Sequence, residues 1–136
     1  MKKVFADTAY WIAILNPRDE LHSRALSVSK SMSGAIIVTS EMVLTELLNK
    51  FTSWGKGLRK AAGELVRKIE QNPNHKIIAQ TRDQFNEALA FYLDRLDKEW
   101  SLTDCASIKI CEREGITEIL TSDNHFEQAG FTSLLK

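Results

Sequence analysis

Hydrophobic positions along this chain alternate between two rhythms. Short continuous apolar runs, Val4 to Ala6, Ala35 to Thr39, Lys76 to Ala79, Glu118 to Thr121 and Phe131 to Leu134, have the length and β-branched character of strands. Between them, apolar residues recur every three or four positions, as on one face of a helix. This rhythm predicts helices over Thr8 to about Leu15, Asp19 or Glu20 to Met32, Met42 to Asn49, Leu58 to Ile69, Arg82 to about Lys98, and Ser101 or Thr103 to Glu114. Asn16-Pro17, Ser33-Gly34, Trp54-Gly55-Lys56-Gly57, Asn72-Pro73-Asn74 and Gly115 punctuate the segments. In the long helix after Arg82, the inward face expected from spacing is Phe85, Ala88, Leu89, Tyr92, Leu93 and Leu96, with acids opposite.

The strand runs are apolar throughout rather than alternating, which marks strands covered on both faces. Strands that alternate with helices predict an α/β fold, a three-layer α/β/α sandwich with a central, mostly parallel sheet. The 136 residues fit one domain spanning 1–136, long enough to bury its own core.

Composition narrows the choices. The chain has 43% hydrophobic and 26% charged residues, with no repeat or low-complexity tract. No stretch is long enough to span a bilayer. Met1-Lys2-Lys3 before an apolar run has the start of a signal peptide, but Asp7 interrupts the run and no small-residue cleavage site follows. Cys105 and Cys111 fall on different faces of one predicted helix, out of disulfide reach. A cytoplasmic protein with reduced thiols is the expectation. The formal net charge is zero, so attraction to nucleic acid requires a local patch. Lys50, Lys56, Arg59, Lys60, Arg67 and Lys68, against Glu64 alone, offer one, although a solvated helix face is the usual reading of such a charge run.

Two acids, Asp7 and Asp123, directly follow apolar strands, where the carboxyl ends of an open α/β sheet border a ligand crevice. Two more, Glu46 and Asp104, ride on helices that begin on the same edge. Each has a simple alternative role. Asp7 can cap a helix, Glu46 can flank an apolar face, and Asp104 can balance a helix dipole. Together they can converge. Four adjacent carboxylates raise one another's pKa values unless a cation compensates them, and hard oxygen donors without clustered Cys or His indicate Mg²⁺ or Mn²⁺.

The segments Phe5-Ala6-Asp7-Thr8, Val43-Leu44-Thr45-Glu46-Leu47, Ser101-Leu102-Thr103-Asp104-Cys105-Ala106 and Leu120-Thr121-Ser122-Asp123-Asn124-His125-Phe126, in this order, resemble the PIN-domain family, and within it the VapC-type toxins of prokaryotic toxin–antitoxin pairs. The resemblance covers essentially the whole chain. It implies a metal-dependent endoribonuclease in which Asp7, Glu46, Asp104 and Asp123 hold Mg²⁺ or Mn²⁺, with water activated by metal as the nucleophile. Thr8 and Thr121 match hydroxyl positions beside the acids and would orient ligands or water. Relatives often carry a basic residue where this chain has Asn124. Lys50, Lys56, Arg59 and Lys60 become candidates for RNA binding. The resemblance further implies an antitoxin partner and a homodimer, for which Trp11 and Trp54 would be compatible surface residues or, as large aromatics, core. His125, a lone histidine beside an aromatic, reads as structural. A PIN-like module that binds RNA or protein without cutting is the alternative; an aspartate-initiated phosphotransferase is disfavoured because Ala9 occupies the place of its second acid.

Overall fold

A computed structural model describes residues 1–136. Five strands, β1 (Lys3–Ala6), β2 (Ile36–Ser40), β3 (His75–Ile78), β4 (Glu118–Leu120) and β5 (Thr132–Ser133), form one sheet in the order β3-β2-β1-β4-β5. Every pairing is parallel, so all strand carboxyl ends share one edge. Val4, Phe5, Ala6, Val38, Ile119 and Leu120 have no solvent exposure, in keeping with a sheet covered on both sides.

Seven helices cover the sheet: α1 (Thr8–Leu15), α2 (His22–Ser31), α3 (Glu41–Lys50), α4 (Lys56–Gln71), α5 (Arg82–Asp94), α6 (Leu102–Glu114) and α7 (Asn124–Gln128). α1 packs against α2, α3 and α4, while α5 packs on α6, and α6 also meets α3 and α7. The starts of four helices are fixed by side chains, that of α7 by Asp123, which accepts from the His125 amide. Ser40 accepts from the Val43 amide, Thr81 from the Gln84 amide, and Ser101 from the Asp104 amide. Gly115 closes α6 in the left-handed conformation, φ 70°, which a side chain would strain. At the amino edge of the sheet, Glu114 receives Lys3 and Lys76 at 3.2 and 2.9 Å, and these cations hold its carboxyl below the usual range.

Several boundaries move from those read in the sequence. α4 begins at Lys56, because Gly55, at φ 91°, turns the chain directly into it. α5 stops at Asp94, where Arg95 pairs with Asp97 through two 3.0 Å bonds and stacks 5.0 Å from the Trp100 ring. Its inward face is also rotated from the expected one. Gln84 and Ala88 are buried and Phe85 and Phe91 half-buried, while Leu89, Tyr92, Leu93 and Leu96 face solvent. α7 has no counterpart among the predicted elements. Trp11 is buried in the core and thus unavailable to a partner, whereas Trp54 is exposed. Both cysteines are buried free thiols, and no helix is long and apolar enough to cross a membrane.

Candidate metal centre and nucleic-acid interface

The strand order reverses direction between β1 and β4. The chain leaves β1 toward β2 on one side and leaves β4 toward β5 on the other. Beyond the carboxyl ends of such a strand pair, nothing fills the space between diverging crossovers, and a crevice results. Asp7 follows β1 and Thr121 follows β4 at this crevice, joined at the backbone where the Asp7 amide donates to the Leu120 carbonyl at 3.3 Å.

The side chains around it are tied together by hydrogen bonds and by the covalent neighbours Asp7 and Thr8. Thr8 Oγ1 donates to Glu46 Oε1 at 2.5 Å. Thr8 follows Asp7 directly in the chain, and Thr121 Oγ1 donates to Asp7 Oδ2 at 3.0 Å. Thr121 Oγ1 in turn accepts from the Asp123 amide at 3.1 Å, and Asp123 Oδ1 accepts from the His125 amide at 3.0 Å, capping α7. His125 Nδ1 lies 2.9 Å from Asp104 Oδ2 and 3.4 Å from Asp123 Oδ1. Asp104 Oδ2 also accepts from the Ser101 amide at 3.1 Å, completing a capping box at the start of α6. The structure therefore links Asp7, Glu46, Asp104 and Asp123 through Thr8, Thr121 and His125. Of these connecting residues, His125 is the one read from the sequence as structural: it lies two positions after Asp123, but nothing in the sequence ties it to Asp104.

Electrostatics single out Asp7. Only 6% exposed, its carboxyl is pushed up to about 7, chiefly by burial, and the neighbouring charges of Asp104 and Glu46 act in the same direction. The Thr8 amide and the Thr121 hydroxyl oppose that shift without cancelling it. Neither donor is a cation. A buried carboxylate with like-charged neighbours and neutral donors is a group that a divalent ion would relieve. Asp104, Asp123 and His125 can each offer one donor atom, all within 4.8 Å of one another. A set dominated by carboxylate oxygen fits a hard divalent cation such as Mg²⁺ or Mn²⁺ and does not fit a thiolate zinc site.

The basic residues begin one helical turn beyond the acids. Lys50 follows Glu46 by four positions on α3, on the same face, and lies 5.6 Å over the Trp54 ring. Lys56, Arg59, Lys60 and Arg67 surround one shallow, polar groove along α4, in which Glu64 pairs only with Lys60, at 3.7 Å. Near the end of the chain, Lys136 brings an ammonium to the Asn124 side chain.

Residues 4–132 match the PIN domain family, and the chain belongs to that family. Over 134 residues it is 26% identical to the 23S rRNA-specific endonuclease VapC20 of Mycobacterium tuberculosis, an alignment that covers 96% of this chain and 97% of the relative. The crystal structure of M. tuberculosis VapC20, described as a sarcin–ricin loop cleaving toxin, superposes with a TM-score of 0.84 at 24% identity, covering 95% of this chain and 96% of that one. FitAcB from Neisseria gonorrhoeae superposes with a TM-score of 0.63 at 17% identity, covering 96% and 95%. The parallel α/β/α architecture is thus that of the PIN family.

Proposed function

We propose that this protein is a divalent-metal-dependent endoribonuclease, the toxin of a type II toxin–antitoxin pair. The observation that carries the reading is the linked arrangement of Asp7, Glu46, Asp104 and Asp123 beside the β1–β4 crevice, in a PIN-family chain homologous along its length to an rRNA endonuclease. Asp7 and Asp104 would be the central ligands, with Glu46 and Asp123 at the flanks. A divalent ion held there supplies charge at the scissile phosphate and acidifies water. Thr121 holds Asp7 in one orientation and Ser101 does so for Asp104. Thr8 fixes Glu46, an exposed carboxylate at the mouth of the site able to accept a proton from the attacking water. Lys50, Lys56, Arg59 and Lys60 neutralise RNA phosphates on the approach, which a chain with no net charge needs from a local patch. The relative's activity makes 23S rRNA, and its sarcin–ricin loop in particular, the first substrate to examine. A cytoplasmic homodimer held in check by a cognate antitoxin completes the reading.

The test incubates the purified protein with 23S rRNA, tRNA and mRNA in Mn²⁺ or Mg²⁺, beside Asp7→Asn and an EDTA control. Cleavage at discrete sites that disappears in both controls is the expected result. Cleavage persisting in either control overturns the mechanism, and RNA binding without cleavage of any substrate makes the protein a binding module instead. A small reading frame immediately upstream, whose product co-purifies and suppresses cleavage, would establish the antitoxin.

A further inference from the structure

Resting on the metal centre just proposed, we propose that His125 is itself a ligand of the ion, through Nδ1, and biases the centre toward Mn²⁺ over Mg²⁺. The ring nitrogen lies 2.9 Å from Asp104 Oδ2 and 3.4 Å from Asp123 Oδ1. Adjacent donors of an octahedral centre with metal–ligand bonds near 2.1 Å stand about 3.0 Å apart, so Nδ1 and Asp104 Oδ2, at the separation of a hydrogen bond, also stand where neighbouring ligands of one cation would, with Asp123 Oδ1 slightly farther off. The backbone that carries the ring is also held in place. The side chain of Asp123 caps α7 through the His125 amide, the Asp123 amide is tied to Thr121, and the next residue, Phe126, is wholly buried. A histidine serving only the local packing would turn its polar edge to water or to a backbone carbonyl. Here the edge faces two carboxylates, while the side chain remains only 30% exposed. The chemical consequence concerns the choice of metal. Mg²⁺ strongly prefers oxygen, whereas along the transition series affinity for imidazole nitrogen increases, and Mn²⁺ accepts one nitrogen with little loss.

The experiment uses the full chain, stripped of metal, and the variants His125→Ala, His125→Asn and Asp104→Asn, with circular dichroism to verify folding. Calorimetric titration with Mn²⁺ and with Mg²⁺ measures both affinities, and pulsed electron paramagnetic resonance of the Mn²⁺ form detects a directly bound ¹⁴N. The expected result is a nitrogen coupling in the wild type that is lost in both His125 variants. Their Mn²⁺ affinity should fall about 10- to 100-fold, the range found when metal-site partners are removed, with Mg²⁺ affinity little changed. Absence of nitrogen coupling in the wild type, or an equal loss for the two ions, overturns the assignment and leaves His125 as a hydrogen-bonding partner of Asp104. If Asp104→Asn abolishes binding while both His125 variants bind as the wild type does, the ligation by His125 fails and the acidic centre stands. If the wild type binds neither ion, both fail.

Discussion

Thr121 Oγ1 donates to Asp7 Oδ2 at 3.0 Å across a sequence separation of 114 residues, and the same oxygen accepts the Asp123 amide at 3.1 Å. One fully buried hydroxyl thus sets the orientation of the acid after β1 and the path of the chain after β4. Thr121→Val keeps the shape and removes both bonds, leaving a buried carboxylate short of a donor and an amide short of an acceptor. The expected cost is about 1 to 3 kcal/mol in chemical denaturation, with Mn²⁺ affinity reduced as well. Thr121→Ser retains the hydroxyl and should recover most of both.

The raised pKa of Asp7 makes the stability of the metal-free protein depend on pH in an unusual direction. Unfolded, this carboxyl titrates near 3.8; folded, near 7. Between those values the native chain keeps a proton that the unfolded chain has lost, so stability falls as pH rises through this window and levels off above it. At one pKa unit per about 1.4 kcal/mol, the Asp7→Asn protein, with no charge to bury, should be more stable than the metal-free wild type at pH 8 by on the order of 2 to 4 kcal/mol. Metal must displace that proton, so Mn²⁺ affinity should climb about tenfold per pH unit up to the folded pKa and then flatten. Thermal melts and Mn²⁺ titrations between pH 5 and 8.5, buffered at about 0.1 M salt to screen surface charge, check both slopes. Stability that rises with pH for the metal-free wild type would contradict the burial of an ionisable Asp7.

The strands and the acids at their ends are legible in the sequence because both obey short-range rules. A β-branched run such as Ile36-Ile37-Val38 pairs in a buried parallel sheet, and a polar residue ending such a run sits at the carboxyl edge. The inward face of α5 is not legible in the same way, because Leu89, Tyr92, Leu93 and Leu96 satisfy helical spacing as well as Gln84, Phe85, Ala88 and Phe91 do. Which stripe turns inward depends on how α5 meets α6, and spacing within one helix carries no information about that. α7 has only five residues, too few for a periodic signal. Its one clue is the aspartate two positions before His125, an N-cap in waiting. The approach of His125 to Asp104 across 21 residues follows from that helix and is invisible without it.

Reversing charge along α4 should affect RNA recognition without touching chemistry. Lys56, Arg59 and Lys60 are exposed around one groove whose lining includes none of Asp7, Glu46, Asp104 and Asp123. A Lys56→Glu, Arg59→Glu, Lys60→Glu variant should raise KM for RNA while leaving kcat near the wild-type value. The dependence of log affinity on log salt should become shallower by about 0.7 for each single-stranded phosphate that the variant no longer neutralises. Fluorescence anisotropy on a catalytically inactive background, measured from about 50 to 300 mM KCl to span the steep range of the salt effect, gives the slope. An unchanged slope would return this patch to the role of an ordinary solvated face.

Asp104 has two tasks, and substitution can separate them. Its side chain accepts from the Ser101 amide to close the capping box of α6, and the same carboxylate, 8% exposed, faces the centre shared with His125. Asparagine retains an acceptor for the cap but loses the charge that a cation requires. Without metal, Asp104→Asn should therefore unfold within about 1 kcal/mol of the wild type, since Asn caps nearly as well as Asp. With Mn²⁺ at about 100 times its dissociation constant the wild type should gain about 2.7 kcal/mol, and the variant should gain almost nothing. Ser101→Ala does the reverse. It removes the hydroxyl that accepts the Asp104 amide and should cost about 0.5 to 2 kcal/mol with or without metal, while preserving most of the metal-induced stabilisation. Paired melts of the two variants, each with EDTA and with Mn²⁺, check the separation; an Asp104→Asn protein stabilised by Mn²⁺ as strongly as the wild type would remove Asp104 from the centre.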